Sequence, residues 1–266
     1  MSEFPVDGPI TVAFKISSGS VDVIAEDRPT AAVAVEPADR RGESRRLADE
    51  TTVEFQSGRL TIVTPNQSGF RLRGGAVAIR VQVPLDSTVS GKSASADVTC
   101  HGRVGAVEVE SASGDVRADH VSGDAVVGTA SGDVRLGRVD GHVRAKGASG
   151  DLRVQQVGGT FAGKYASGDV QVDEVGGDIT VDTASGDVSV SKAQRGTARI
   201  STASGDVSIG VQAGTGVWFD VKTLSGDTRN GLDMSQPGAA GTDELAREQL
   251  TLQLRTMSGD IDIHRA

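Results

Sequence analysis

One four-residue phrase recurs through the middle of this 266-residue chain: Ser113-Gly114-Asp115-Val116, Ser131-Gly132-Asp133-Val134, Ser149-Gly150-Asp151-Leu152, Ser167-Gly168-Asp169-Val170 and Ser185-Gly186-Asp187-Val188. From Asp97 to Asp187 the aspartates fall every 18 residues. A fixed short period over many copies marks a stacked-repeat architecture, because each unit is too small to bury its own apolar face and needs neighbours above and below. The chain is therefore expected to be all-β and to form a parallel β-solenoid.

Each 18-residue unit divides into two nines, such as 169–177 and 178–186, and each nine is a short alternating run that ends in glycine. Alternation places Val170, Val172, Ile179 and Val181 on one side of the chain and Gln171, Asp173, Thr180 and Asp182 on the other. Val175 and Ala184 are expected to point inward at the corners. Two rows follow through the copies: Val116, Val134, Leu152, Val170, Val188, and Val107, Ala125, Val143, Phe161, Ile179, Ala198. Two strands per coil give a narrow roll with two facing parallel sheets. An antiparallel meander of hairpins also satisfies alternation, but it gives no reason for odd and even turns to differ. A single coil buries only about six aliphatic side chains, too few to offset the entropy of ordering it, so the coils must fold together.

Composition agrees with a thin interior. Aromatic residues make up 3% of the chain and glycines number 35. The net charge of −9 argues against a nucleic-acid partner, which requires a concentrated basic surface. Cys100 is the only cysteine, so neither an intrachain disulfide nor a thiolate metal cluster is expected. The N-terminus lacks a basic segment followed by an apolar run, and no apolar window approaches the ~18 residues of a membrane span. Direct membrane insertion is not expected, and the cytoplasm is the expected location.

Residues 1–85 lack the strict period and read as a β-rich N-terminal cap continuous with the solenoid, whose repeats occupy 86–266. Strands are expected at Ile10–Ile16, Val21–Ala25, Ala31–Val35, Thr52–Gln56, Leu60–Val63 and Ala76–Val83, with a short helix around Glu43–Ala48. Ser17-Ser18-Gly19-Ser20-Val21-Asp22-Val23 looks like a degenerate first copy of the repeat. Phe14, Phe55 and Phe70 suggest a conventional small core that covers the strand edges of an open end. Beyond Asp187 the aspartate step loosens to 19, 21 and then 33 residues. Residues 231–247 read as an excursion from the roll, with a short helical piece at Asp243–Arg247. Phe219 is expected to face inward in the row of Phe161 and Ile179, and Trp218 to sit at a corner over the terminal coils.

The most regular polar feature is the aspartate row, including Asp115, Asp133, Asp151, Asp169, Asp187 and Asp206. Carboxylates stacked at strand spacing, about 4.8 Å, repel one another and need compensation. Local turn capping is one reading, with Asp and Ser accepting main-chain N–H bonds and glycine supplying positive φ. A calcium ladder is the other, since nonapeptide calcium rolls share the nine-residue step; the alternate corners, however, supply carboxylates irregularly. No metal and no cofactor is expected.

Arg117, Arg135 and Arg153 form an outward stripe that is either solvated surface or a contact for an acidic partner. Lys146 and Lys164 make a shorter pair on the other face. No catalytic residues are expected. His101, His120, His142 and His264 occupy no common row, the repeated serines belong to turns, and Cys100 sits in an inward position with Ala118, Leu136 and Val154.

The Ser-Gly-Asp-Val corners, the Gly19–Asp27 opening and the Trp-Phe-Asp-Val-Lys-Thr passage at Trp218–Thr223 together resemble a bacterial β-strand-repeat "putative adhesin" family of unknown function, the Toastrack-type domain. The resemblance covers nearly the whole chain. It implies a parallel β-solenoid without known catalytic residues, and a link to envelope-stress sensing or surface attachment. The functional expectation is a non-enzymatic interaction or scaffold module with a protein partner, possessing flat faces suited to binding. A self-assembling structural or adhesin-like protein is the alternative, which makes a homo-oligomer compatible with the sequence. A ligand-binding or catalytic roll is the third reading.

Overall fold

Strands eighteen positions apart lie side by side and run in the same direction. The structure, a computed structural model, describes residues 2–65, 74–232 and 249–266. Two compact units divide the chain, Met1–Gly137 and Arg138–Ala266.

The first unit is built around Thr11–Glu26, a single 16-residue strand. The sequence suggests two strands here, separated at Ser17-Ser18. They are continuous because the corner itself stays paired, Ser18 opposite Ser95 and Gly19 opposite Ala96. Along one edge this strand pairs in parallel with Arg59–Val63 and then with Val77–Pro84. Along the other it pairs with Thr88–Val104, with Thr11 opposite Thr88 and Val21 opposite Val98. Gly19-Ser20-Val21 thus stands in register with Ala96-Asp97-Val98, so the first copy of the repeat is separated from the second by 77 residues rather than 18.

The intervening residues hold the antiparallel part of the unit. Thr30–Pro37 pairs with both Ser2–Pro5 and Val77–Pro84, and Thr52–Gln56 forms a hairpin with Arg59–Val63. The helix Gly42–Asp49 buries Leu47, and its Ser44 hydroxyl accepts the Ala76 N–H at 3.1 Å. The Phe4 and Phe55 rings stack at 5.2 Å. Phe14 is buried, whereas Phe70 lies outside the described residues. Coils of regular length then follow, with Val89 opposite Val107, Val107 opposite Ala125, and Val98 opposite Val116.

In the second unit the 18-residue step is written directly into the register. Val143 faces Phe161, Leu152 faces Val170, Phe161 faces Ile179 and Val170 faces Val188, all in parallel pairs. This excludes the antiparallel meander. Both predicted inward rows are buried throughout. Aliphatic side chains of modest size fill most of the interior, together with the buried rings of Phe161 and Tyr165.

Two expectations need correction, and the order of the final strands departs from that of the chain. Ala184 is exposed and Thr183 is buried in its place, because the strand Ile179–Ser185 keeps alternating past Val181 instead of turning. Trp218 lies within the strand Gly216–Ser225 rather than at a corner, and its ring is exposed. Finally, the last strands in sequence are not the last in space. Gln249–Ser258 pairs in parallel with Gly196–Ser204 on one edge and with Gly216–Ser225 on the other. Likewise Ile261–Arg265 lies between Val207–Val211 and Thr228–Asn230. The closing copy of the repeat has inserted itself beneath the copy that precedes it. Phe219 does occupy the inward row, opposite Leu252, but on an outermost strand it stays 36% exposed. The excursion and the helical piece at Asp243–Arg247 lie outside the described residues, apart from Gly231 and Leu232.

Candidate interaction surfaces

The Ser-Gly-Asp corners are built by three interlocking groups. In the first unit Gly114 and Gly132 donate their N–H groups to Ser111 Oγ and Thr129 Oγ1, each at 2.8 Å. In the second unit Gly168 and Gly186 adopt φ of 112° and 133°, in the region that disfavours a side chain. Both corner types require glycine for close approach: a Cβ on Gly114 would fall 2.0 Å from the Ala96 carbonyl oxygen, and one on Gly186 would fall 2.2 Å from that of Gly168.

The aspartates that follow connect coil to coil rather than capping their own turns. Asp97 Oδ1 accepts the Asp115 N–H at 2.9 Å, and Asp115 Oδ1 accepts that of Asp133 at 3.0 Å. In the second unit Asp151, Asp169 and Asp187 accept the N–H groups of Asp169, Asp187 and Asp206 at 3.1, 2.9 and 2.8 Å. The ladder then follows the spatial order of the strands: Asp206 accepts from Asp260, and Asp260 from Asp227, each at 2.8 Å.

The arginine stripe serves this ladder in the first unit. Arg117 Nη2 donates to Asp115 Oδ2 at 2.7 Å and Arg135 Nη2 to Asp133 Oδ2 at 2.9 Å, with Arg135 Nη1 3.8 Å from Asp115. One carboxylate oxygen therefore takes a main-chain donor and the other a guanidinium, which offsets repulsion along the row. Arg153, in the second unit, is exposed beside Gln171. Lys146 lies next to Lys164, which is opposite Asp182.

No chemistry-bearing cluster of side chains comes together at the remaining candidates. His101 approaches Asp119 at 3.3 Å, His142 meets Thr160 at 2.8 Å, and His264 meets Asp262 at 3.0 Å, in three separate places. Among the described residues no three His, Cys, Asp or Glu side chains converge as a metal site. Cys100 is fully buried, and loss of water, reinforced by the Asp119 charge, pushes its thiol up to about 12. No helix among the described residues is long and apolar enough to cross a membrane.

The feature that sequence reasoning missed is a trough of about 280 Å³ on the outer face of the first unit. Registered strands carry its rows: Thr61, Ala13, Ser90 and Glu108 in one, and Val63, Lys15, Lys92 and Glu110 in the next. Ala13 and Ser90 are short, and the Phe14 ring lies under Gly91, so the floor sinks between taller walls. Arg59, Lys15 and Lys92 are basic, and Glu108 and Glu110 beyond them are acidic. Glu110 holds Lys92 through a short hydrogen bond and raises its pKa above the ordinary lysine value. Alternation alone marks Lys15 and Lys92 as outward. Their juxtaposition depends on the 77-residue step, which no periodicity reveals.

The family model of the Toastrack domain, DUF4097, matches residues 10–264. The chain belongs to the Toastrack family. Solved structures similar to it include a "putative adhesin" from Parabacteroides distasonis, 12% identical, with 98% of this chain and 95% of that one covered and a TM-score of 0.45. A "putative lipid binding protein" from the same organism is 14% identical over 100% of this chain and 94% of that one, with a TM-score of 0.44. A "putative adhesin" from Bacteroides fragilis is 12% identical over 98% and 95%, with a TM-score of 0.38. No curated protein matches the sequence. Membership of the Toastrack family accounts for the parallel β-solenoid and assigns no site residues.

Proposed function

We propose that this Toastrack chain is a non-enzymatic interaction module that holds a protein partner against the outer face of its first unit. The observation that carries the reading is the trough over Ala13 and Ser90, with Arg59, Lys15 and Lys92 on its first three strands and Glu108 and Glu110 on the fourth. Such a charge order selects the orientation of a partner more than it adds raw affinity. The trough is favoured over the arginine stripe because it is a recess of about 280 Å³ with both charge signs in its lining. An envelope-stress or regulatory circuit, as the family resemblance implies, is the cellular setting of the proposal.

Crosslinking of the intact protein in native lysate, read by mass spectrometry, tests it. Crosslinks to a partner should concentrate on Lys15 and Lys92, and reversal of Glu108 and Glu110 to Lys should abolish the complex while Arg117→Glu with Arg135→Glu leaves it. Unchanged recovery after reversal of the trough, or turnover of a substrate by the purified chain, would overturn the reading.

A further inference from the structure

Among the described residues the strand Gly216–Ser225, like Thr228–Asn230, lies at an edge of the roll in the second unit. It pairs in parallel with Gln249–Ser258, and no other strand pairs with it among the described residues. Natural edge strands are commonly blunted by several lysines, a proline or a bulge. This one has a single lysine, no proline and one constant register, with the ladder interrupted only at Leu224. It also presents Trp218 at 60% and Leu224 at 83% exposure, with Met257, 59% exposed, on the neighbouring strand beside Leu224.

The main-chain groups on this edge can be assigned. In the equivalent row of earlier coils Val143 and Phe161 donate their N–H groups to the Thr160 and Asp178 carbonyls of the following coil at 2.9 and 2.8 Å, so the inward row turns its N–H and C=O groups toward the next coil. Gly216–Ser225 lies beyond Gln249–Ser258 in that order, so Val217, Phe219, Val221 and Thr223 turn theirs outward, available to another strand. The side chains of Trp218, Asp220, Lys222 and Leu224 form one row on the outer face, in the order apolar, acidic, basic, apolar.

That order is self-complementary when reversed. We propose that two copies of this chain pair through Gly216–Ser225, antiparallel, about a two-fold axis passing through Val221. Trp218 then lies opposite the second copy's Leu224, and Asp220 opposite the second copy's Lys222, with each contact made twice. The four outer-face residues of each strand occupy the non-hydrogen-bonded positions of the antiparallel ladder, where facing side chains lie closer, and Val221 meets its own equivalent at a hydrogen-bonded position. Phe219, left half open in the inward row, gains a cover. A two-fold interface is closed, so the assembly stops at two copies. The pairing stands independently of the trough in the first unit.

Sedimentation equilibrium of the full chain across concentration tests the proposal, with emission from Trp218, the only tryptophan, as a second readout. A monomer–dimer equilibrium is expected, with emission moving to shorter wavelength as dimer forms. Asp220→Lys and Lys222→Asp each place like charges opposite one another twice, and each should weaken dimerisation roughly tenfold or more. The double exchange restores opposite charges and should recover the dimer. Thermal melts check that the single variants remain folded. A monomer at all concentrations, growth beyond two copies, or a double exchange no better than the single reversals would overturn the pairing.

Discussion

Asp169 Oδ1 accepts the main-chain N–H of Asp187 at 2.9 Å, across 18 residues of sequence and one rung of the roll. Three facts meet in that contact: the period, the parallel register and the survival of a stacked carboxylate row. A carboxylate that accepts an N–H from the next coil acts as a fixed clamp between neighbours, and the acceptor it needs is retained by an amide. Asp169→Asn should therefore remain within about 0.5 kcal/mol of the parent in urea unfolding, whereas Asp169→Ala should lose about 1 kcal/mol. Native-state hydrogen exchange supplies the local check, since the Asp187 amide should lose protection in the alanine variant.

The glycine before each aspartate is expected to matter more. Gly186 combines a φ of 133° with so close a backbone approach that an added methyl would fall 2.2 Å from the Gly168 carbonyl oxygen. Strain of about 1–3 kcal/mol attaches to the dihedral alone, and the steric contact cannot be relieved by rotating a flexible side chain. Gly186→Ala should lower stability more than Asp169→Ala in the same urea series. Equal losses would show that the clamp, and not the close approach, limits the corner.

Much of this was legible in the sequence because a solenoid writes its register into its spacing. Val170 opposite Val188 could be stated from an interval of 18. The rows failed where spacing ceases to report position. Ser20 and Asp97 are neighbouring copies separated by an insertion, and Leu252 lies between Ala198 and Phe219 although it follows both in the chain. Sequence order cannot express such an exchange, because parallel pairing is equally satisfied by either coil. Local turn chemistry misassigned the donors to the aspartate row, since only stacked coils bring an N–H from the next rung within reach. The trough was hidden for the same reason as the insertion, since Lys15 and Lys92 share no period.

Cys100 provides a probe of the interior in the first unit. It lies opposite Val23 on one side and Ala118 on the other, without exposed surface, and its thiol is pushed up to about 12. The thiolate is the reacting species, so burial and the raised pKa act together. In native buffer at pH 8 a thiol-specific reagent such as dithionitrobenzoate should label the chain only as fast as the unit opens. In urea above the transition one thiol per chain should react at once. Rapid labelling of the native protein would show that the coil around Cys100 opens locally.

Glu174 sets a pH dependence with a definite sign. It accepts hydrogen bonds from Lys192 at 2.9 Å and from Gln194 at 2.6 Å, and these, the lysine first, hold its carboxyl below the ordinary value of 4.5. A carboxyl with a depressed folded-state pKa binds protons more readily when unfolded, so its contribution is complete above the ordinary value and is lost as pH falls through the folded one. Glu174→Gln removes that proton linkage. Relative to the variant, the parent should gain no further advantage between pH 6 and 8, and its advantage should shrink as pH is lowered below about 4.5. Urea midpoints measured for both proteins from pH 7 down to pH 3 give the comparison directly. A stability difference that stayed constant through the acid range would mean that the Lys192 contact does not persist in solution.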